Sequence, residues 1–473
     1  MATLQKSVET AARIIARHDY ARVISHYDAD GITSAGILCT ALLRQGIQFH
    51  ITIVNKLEDS FVQGLDDDLI LICDMGTAQS DVLAEHLKER AVVVIDHHAP
   101  SASVPVLSTP SSVLINPCCL NAADARDLVN ERGSTICAAG LSYLVARRLS
   151  GEKTGNIDLA GLAIAGTMGD KLDLSSGVNK LIVDEALREG IISIKTGLKF
   201  GDGQLQERML SSTDPFTPLA GKPEWVAALL NQVKIEGTRE VTDLTEDEEA
   251  RLTEALLALV RESQHTGITE GTLVGTTYRL QCEVIPNAYD LMRVIDACGR
   301  LGKSGLGIGL CLRVARLREE ATMLYANIQT KLVSELNRLE REEGTVKGLT
   351  NLYYFYVQEG GVTGTLAGIV AEYLCTDKPV IGFNKKDRVE EGRQVETKIS
   401  GRCHKELLTD STGINLATAM ESAAKEVGGF GGGHPVAAGA SIPDGKEEQF
   451  ITILDALIGK QKKEEVRVET ART

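Results

Sequence analysis

The sequence predicts an α/β protein: a first domain built on a parallel sheet, and a second, smaller α/β domain joined to it by a long helix. Three observations carry this. Short apolar runs at 21–25, 49–54, 69–73 and 91–95 alternate with helix-like stretches such as 36–44 and 79–90, the pattern of βαβ units whose sheet is covered on both faces. A similar pattern starts near Leu349, where 352–357 reads as a strand, and continues to about 460. The chain has 473 residues, 43% hydrophobic and 24% charged, an ordinary globular balance with room for about two to four domains.

Between these regions the pattern changes. Helical periodicity dominates at 134–150, 158–167 and 179–188. From 194 to 277 the chain is charged and irregular, with Pro215, Pro218, Pro223 and an acidic run at 245–249, and reads as an inserted module. Residues 314–343 read as one long charged helix, the predicted connector. The predicted division is therefore 1–195 for the first domain and 196–285 for the module. Closing helices and connector take 286–345, the smaller domain 346–460, and a charged tail 461–473. No internal repeat is visible.

Composition excludes several classes. Fifty basic against 65 acidic residues leave a net charge of −15, which disfavours a non-specific nucleic-acid coat but permits a local basic groove or a cation-neutralised carboxylate site. Aromatics are only 4%, too few for long base-stacking platforms. Ten cysteines include no C-x-x-C pair, and Cys118 beside Cys119 is poor geometry for a bridge, so reduced thiols in a cytoplasm are expected. No signal-like start and no apolar run of membrane-spanning length is present, so no membrane association is expected.

The strand-like runs end on polar clusters. The first ends in Ser25-His-Tyr-Asp-Ala-Asp-Gly31, whose alternate residues His26, Asp28 and Asp30 can project to one side and suit Mn²⁺, Mg²⁺ or Zn²⁺. The third ends in Asp74-Met-Gly76, and the fourth in Asp96-His-His-Ala-Pro100, where Asp96 can orient an imidazole. Gly166-Thr-Met-Gly-Asp170 adds a carboxylate after a helical run. Individually each could be a cap or a solvated loop. Together, His26, Asp28, Asp30, Asp74, His97, His98 and Asp170 would repel one another at one spot unless cations were bound. Two metals about 3.5–4 Å apart, bridged by a shared Asp, would relieve that and suit phosphoester hydrolysis.

These four motifs resemble those of the DHH phosphoesterase superfamily. The resemblance extends to 296–302 (Asp-Ala-Cys-Gly-Arg-Leu-Gly), similar to a segment that closes the core of RecJ-type exonucleases. It extends also to 398–402 (Lys-Ile-Ser-Gly-Arg) and 431–439 (Gly-Gly-Gly-His-Pro-Val-Ala-Ala-Gly), similar to the two signatures of the DHH-associated domain. It covers about 1–195 and 286–460 and is nearest to archaeal RecJ-like proteins of the GINS-associated nuclease type.

The resemblance implies roles. His26, Asp28 and Asp74 would hold one Mn²⁺ (or Mg²⁺), and Asp30, Asp74, His97 and Asp170 a second, with Asp74 bridging. His98, with Asp96 behind it, would act at the scissile phosphate. Arg300, Ser400 and Arg402 would grip a terminal phosphate, since a guanidinium holds it by a bidentate fork. Gly431, Gly432, Gly433 and His434 would let the backbone approach nucleic acid closely. The implied activity is a metal-dependent exonuclease on single-stranded DNA, with RNA as a second substrate class, 5′→3′ favoured, in replication or repair with GINS. Its substrate would lie in a cleft between the domains. The alternatives are a small-molecule or nanoRNA phosphodiesterase of the same superfamily, and a replisome scaffold. The chain departs from bacterial RecJ in carrying the 196–285 module and in showing no oligonucleotide-binding extension after the second domain. A local basic stretch (Lys378, Lys385, Lys386, Arg388, Arg393, Lys398, Arg402, Lys405) is interleaved with acids, and the P-loop-like ending at 297–304 lacks its first glycine.

Overall fold

The computed structural model describes residues 2–100, 111–125, 128–130, 133–151, 155–263, 267–385, 396–404, 407 and 413–470. Of the basic stretch, 386–395 and Lys405 lie outside them. The chain forms two compact units, one made of 1–196 with 276–325 and the other of 197–275 with 326–473.

The first unit is built on five parallel strands, β1 (Tyr20–His26), β2 (Gln48–Val54), β3 (Leu69–Cys73), β4 (Ala91–Ile95) and β5 (Ser112–Ile115), in the order β2-β1-β3-β4-β5. The fifth strand was not expected; its apolar core, Val113 to Ile115, is too short to stand out from a loop. Both faces are buried, as the continuous apolar runs require. Leu69, Leu71, Cys73, Val93 and Ile95 pack toward helices α1 (Ala2–Ile15) and α2 (Ala29–Arg44) and toward Ala138–Leu149, Ala160–Gly169 and Ala288–Arg300. Ile70, Ile72, Val92 and Val94 face the other way, against Val62, Leu83 and Leu87.

This strand order decides where a site can form. β2 and β3 leave β1 in opposite directions, so the chain reverses between β1 and β3 and opens a crevice beyond their carboxyl ends. The register pairs Ser25 with Cys73 and Cys73 with Ile95, which levels those ends. The crevice is braced from Ala288–Arg300, where a Cβ on Gly299 would lie 1.6 Å from the Tyr27 carbonyl oxygen.

The second unit holds a six-stranded sheet ordered Lys347–Gly348, Tyr353–Val357, Val380–Asn384, Glu396–Arg402, Ala437–Pro443, Phe430–His434. Only Tyr353–Val357 and Val380–Asn384 pair in parallel. Phe383 and Phe450 meet edge to face in its core, with Ile381, Ile399 and Met420. The module expected to be irregular contains helices Leu205–Ser211, Pro223–Val233 and Glu246–Ser263. Its acidic run opens the last of these, where the helix dipole favours negative charge, and Leu252, Leu256 and Val260 form its buried stripe. Residues 197–275 of the module pack within the second unit, where Thr213 donates to Gln329 at 2.7 Å and Tyr373 donates to Asp214 at 3.0 Å, while 276–285 belong to the first unit. The expected connector is a helix at Arg318–Arg341. Among the described residues, no helix is long and apolar enough to cross a membrane.

The close approach at Gly299 yields a test. Gly299→Ala forces overpacking that costs about 1–3 kcal/mol, a melting temperature lower by about 2–12 °C. Gly305→Ala, where nothing lies within 4 Å of the new Cβ, leaves it unchanged or slightly higher. Differential scanning fluorimetry compares them, and equal shifts would contradict the packing argument.

Candidate metal centre

His26 is the last residue of β1, and the chain turns at once into α2. Asp28 caps that helix, its Oδ1 accepting from the Gly31 N–H at 3.0 Å, which leaves Oδ2 2.9 Å from His26 Nδ1. Asp30, in the first turn of α2, is 1% exposed. Its carboxylate accepts from the Ala138 and Ala139 N–H groups at 2.8 and 2.7 Å, at the positive end of Ala138–Leu149. Asp74 follows β3 with φ +58, a left-handed conformation that Asp tolerates better than most residues. Asp170 closes Ala160–Gly169, where Gly166 lets the helix sit against α2: a Cβ there would lie 2.4 Å from Thr33 Oγ1.

Asp74 sits at the centre. One carboxylate oxygen lies 3.3 Å from His26 Nδ1, and the other 3.3 Å from His97 Nε2 and 3.8 Å from His98 Nδ1. His97 Nε2 is also 3.1 Å from Asp170 Oδ2 and 3.7 Å from Asp30 Oδ2. Three ligand sets result: His26, Asp28 and Asp74; Asp74, His97 and His98; Asp30, Cys137 and Asp170.

These separations are short, yet they lack hydrogen-bond angles. His26 Nδ1, both Asp74 oxygens and Asp170 Oδ2 are buried with no hydrogen-bond partner. Buried polar atoms are otherwise almost always paired, so a group of them aimed at shared points fits cations as the missing partners. The electrostatics agree. Burial, then the nearby Asp74, pushes Asp30 up to about 7. Burial and Asp30 push Asp170 well up, and burial and Asp74 push Asp28 up. Burial opposes ionisation of Asp74 too, but its histidine neighbours hold it below the usual carboxylate range. Burial would lower His26, yet Asp28 and Asp74 outweigh it and raise it to about 11.

Asp96 is 1% exposed and lies behind this group. Its Oδ1 is 2.8 Å from His98 Nδ1 and accepts from the His97 and His98 N–H groups, while Oδ2 accepts from the Thr77 N–H at 2.9 Å. Asn116, just past β5, ties the loops together by donating to Thr77 Oγ1 at 2.8 Å and to the His98 carbonyl at 2.9 Å. Thr77, Asn116 and Cys137 were not anticipated. A short strand before Asn116, and Cys137 directly before a helix, were the only signals.

The remaining candidates lie elsewhere. Arg300 ends Ala288–Arg300 in the first unit, its Nε 2.5 Å from Asp296 Oδ2, and Asp296 above all raises its already high pKa. Ser400, Arg402, Gly431, Gly432, Gly433 and His434 belong to the second unit's sheet. Register places Arg402 and His434 on either side of Ala437, and Ser400 and Gly432 on either side of Gly439.

The crowded carboxylates predict a split response. Mn²⁺ at roughly 100-fold above its Kd stabilises the folded chain by about 2.7 kcal/mol, raising the melting temperature by about 5–10 °C. Asp170→Asn leaves the metal-free melting temperature equal or higher, because one repelling charge is gone, and loses most of the Mn²⁺-induced rise. A rise of wild-type size in the variant would contradict the ligand set.

Comparison with known proteins places this geometry. Residues 21–167 match the DHH family, N-terminal domain, and residues 350–462 match the DHHA1 domain. An uncharacterized protein of Methanocaldococcus jannaschii is 29% identical over 458 residues, 95% of either chain. The single-stranded-DNA-specific exonuclease RecJ of Thermus thermophilus is 28% identical over 190 residues, 38% of this chain and 26% of RecJ. The crystal structure of that RecJ with Mn²⁺ has a TM-score of 0.57 and 20% identity, covering 97% of this chain and 55% of RecJ, so the present chain spans about half of it. Cdc45 from Entamoeba histolytica has a TM-score of 0.67 at 12% identity, covering 96% of this chain and 99% of Cdc45. The chain shares its fold with RecJ and Cdc45, and the two domain models, in the expected order and together covering more than half of it, make it a RecJ-like member of the DHH superfamily.

Proposed function

We propose that the chain is a metal-dependent exonuclease that hydrolyses phosphodiester bonds of single-stranded DNA, and of RNA as a second substrate, from a strand end in the 5′→3′ direction. The observation that carries this is Asp74, whose two buried, unpartnered oxygens are shared between His26 with Asp28 on one side and His97 with His98 on the other. Its similarity to a single-stranded-DNA-specific exonuclease supports the substrate class, and the Mn²⁺ in that relative's structure supports the metal. A role in replication or repair alongside GINS rests on the family resemblance.

Cations held by His26, Asp28 and Asp74, and by Asp30, Asp74, His97 and Asp170, would neutralise phosphoryl charge and acidify a water. The chain's own groups do the rest. Asp96 holds the His98 ring by Nδ1; burial would lower the His98 pKa, but the Asp96 hydrogen bond and the charges of Asp96 and Asp74 together raise it, so His98 is poised to donate a proton toward a phosphate oxygen or leaving group. Burial opposes ionisation of Asp96, but His98 above all, and then Thr77, hold it below the usual carboxylate range, and the N–H groups of Thr77, His97 and His98 fix it in place. Arg300, oriented by Asp296, would grip the terminal phosphate, and Ser400, Arg402 and His434 would hold the backbone from one sheet face.

A time course on 5′- and 3′-labelled single-stranded DNA and RNA with Mn²⁺, Mg²⁺ or EDTA tests this, with Asp30→Ala as the blank. The expected outcome is metal-dependent release of short products from the 5′ end, at least about 1000-fold slower in the variant. Failure to digest any oligomer beyond a few nucleotides would overturn it, in favour of a small-molecule phosphodiesterase if dinucleotides are cleaved, or a scaffold if nothing is.

A further inference from the structure

The face of the second unit's sheet opposite Leu416–Glu426 is partly covered by Thr363–Ile369, and beyond that helix it carries more than the signature residues. Along Glu396–Arg402, residues Thr397, Ile399 and Gly401 are buried, while Lys398, Ser400 and Arg402 are half-buried on the other face, where Thr363–Ile369 lies against Ser400 and Arg402: a Cβ on Gly364 would lie 2.8 Å from the Arg402 guanidinium and 3.5 Å from Ser400 Oγ. The register continues this face across two more strands: Lys398 aligns with Ser441 and Phe430, Ser400 with Gly439 and Gly432, Arg402 with Ala437 and His434. Beyond Ser400 the middle row is bare. A Cβ on Gly432 would meet nothing within 4 Å, and one on Gly439 only the Ile399 carbonyl at 3.6 Å. The signature residues Arg402 and His434 stand at one end of this glycine floor.

Phe430 stands at the other. Its ring is 64% exposed, more than any other large hydrophobic side chain among the described residues. It lies on an edge strand whose opposite face packs on Leu416–Glu426, where a Cβ on Gly431 would meet the Met420 carbonyl at 2.9 Å. The Lys398 ammonium lies 5.7 Å from the ring centroid, held by Ser441 Oγ at 3.1 Å and Glu396 at 3.7 Å. Leaving a phenyl ring in water costs burial energy with no return in folding, and a cation beside it suits a ligand that carries both a π-face and a phosphate. Rows two residues apart along a strand are roughly 7 Å apart, close to one nucleotide step of an extended strand.

We infer that Phe430 is a nucleobase platform: one base of a bound single strand stacks on its exposed face while Lys398 pairs with that nucleotide's phosphate, one step or two along the sheet from the Arg402–His434 grip. This rests on the exonuclease reading and deepens it by adding a sequence-tolerant stacking subsite. Stacking on an aromatic ring accepts every base, favouring the larger purines.

The test uses the full chain in EDTA with short single-stranded oligonucleotides carrying 2-aminopurine at successive positions. Wild type should quench one position strongly. Phe430→Ala should abolish that quench and weaken binding by about tenfold, with the salt dependence of affinity unchanged because no phosphate contact is lost. Phe430→Trp should restore both. Oligonucleotide binding with a quench that survives Phe430→Ala would overturn the platform and leave the exonuclease reading standing. No oligonucleotide binding by wild type, either in EDTA or with Ca²⁺ in place of Mn²⁺, would overturn both.

Discussion

The constraint on which the first unit depends is a buried carboxylate that the protein itself does not satisfy. Asp74 is 3% exposed, held in a left-handed conformation directly after a fully buried strand, with both oxygens lacking hydrogen-bond partners. Burying an ionised carboxylate is expensive unless it is paired, and here three further carboxylates crowd the same crevice. The fold absorbs part of the cost through the histidines and through two backbone N–H groups on Asp30. The remainder is what a divalent cation would offset. Strand order, cap and helix end all serve to bring these groups together: the β1/β3 crevice gathers the strand ends, Asp28 caps α2, and Gly166 and Gly299 let two helices press in.

Much of this was readable from the chain because the strands are buried on both faces. Runs such as Leu69–Cys73 and Ala91–Ile95 have no polar residue, so the first polar group after each marks a carboxyl end. A parallel sheet then brings those ends to one edge whatever their separation in sequence, which is why His26, Asp74 and His97 meet. What was not readable depends on long-range partners. Cys137 and Asn116 sit in stretches with no local pattern. Nothing in the run before Ala138 shows that its helix will aim N–H groups at Asp30. The three helices at 205–263 were hidden by prolines and acids, although Leu252, Leu256 and Val260 carry a helical stripe.

The second unit applies a different principle. Its signature glycines are not a flexible loop: Phe430–His434 is a paired edge strand, and the glycines clear the outward face of a sheet. Removing side chains from the middle rows leaves backbone and small atoms as a floor, with polar, cationic and aromatic groups only at the margins. Such a surface would suit backbone charge and base faces, not base edges, as the proposed exonuclease would require.

The proposed chemistry requires Asp74 to be shared by two cations. Electron paramagnetic resonance of the full chain titrated with Mn²⁺ measures this directly. Two equivalents per chain with an exchange-coupled signal is the expected result, replaced in Asp74→Asn by the six-line spectrum of isolated ions. A single uncoupled Mn²⁺ in the wild type, or coupling that survives in the variant, would contradict it.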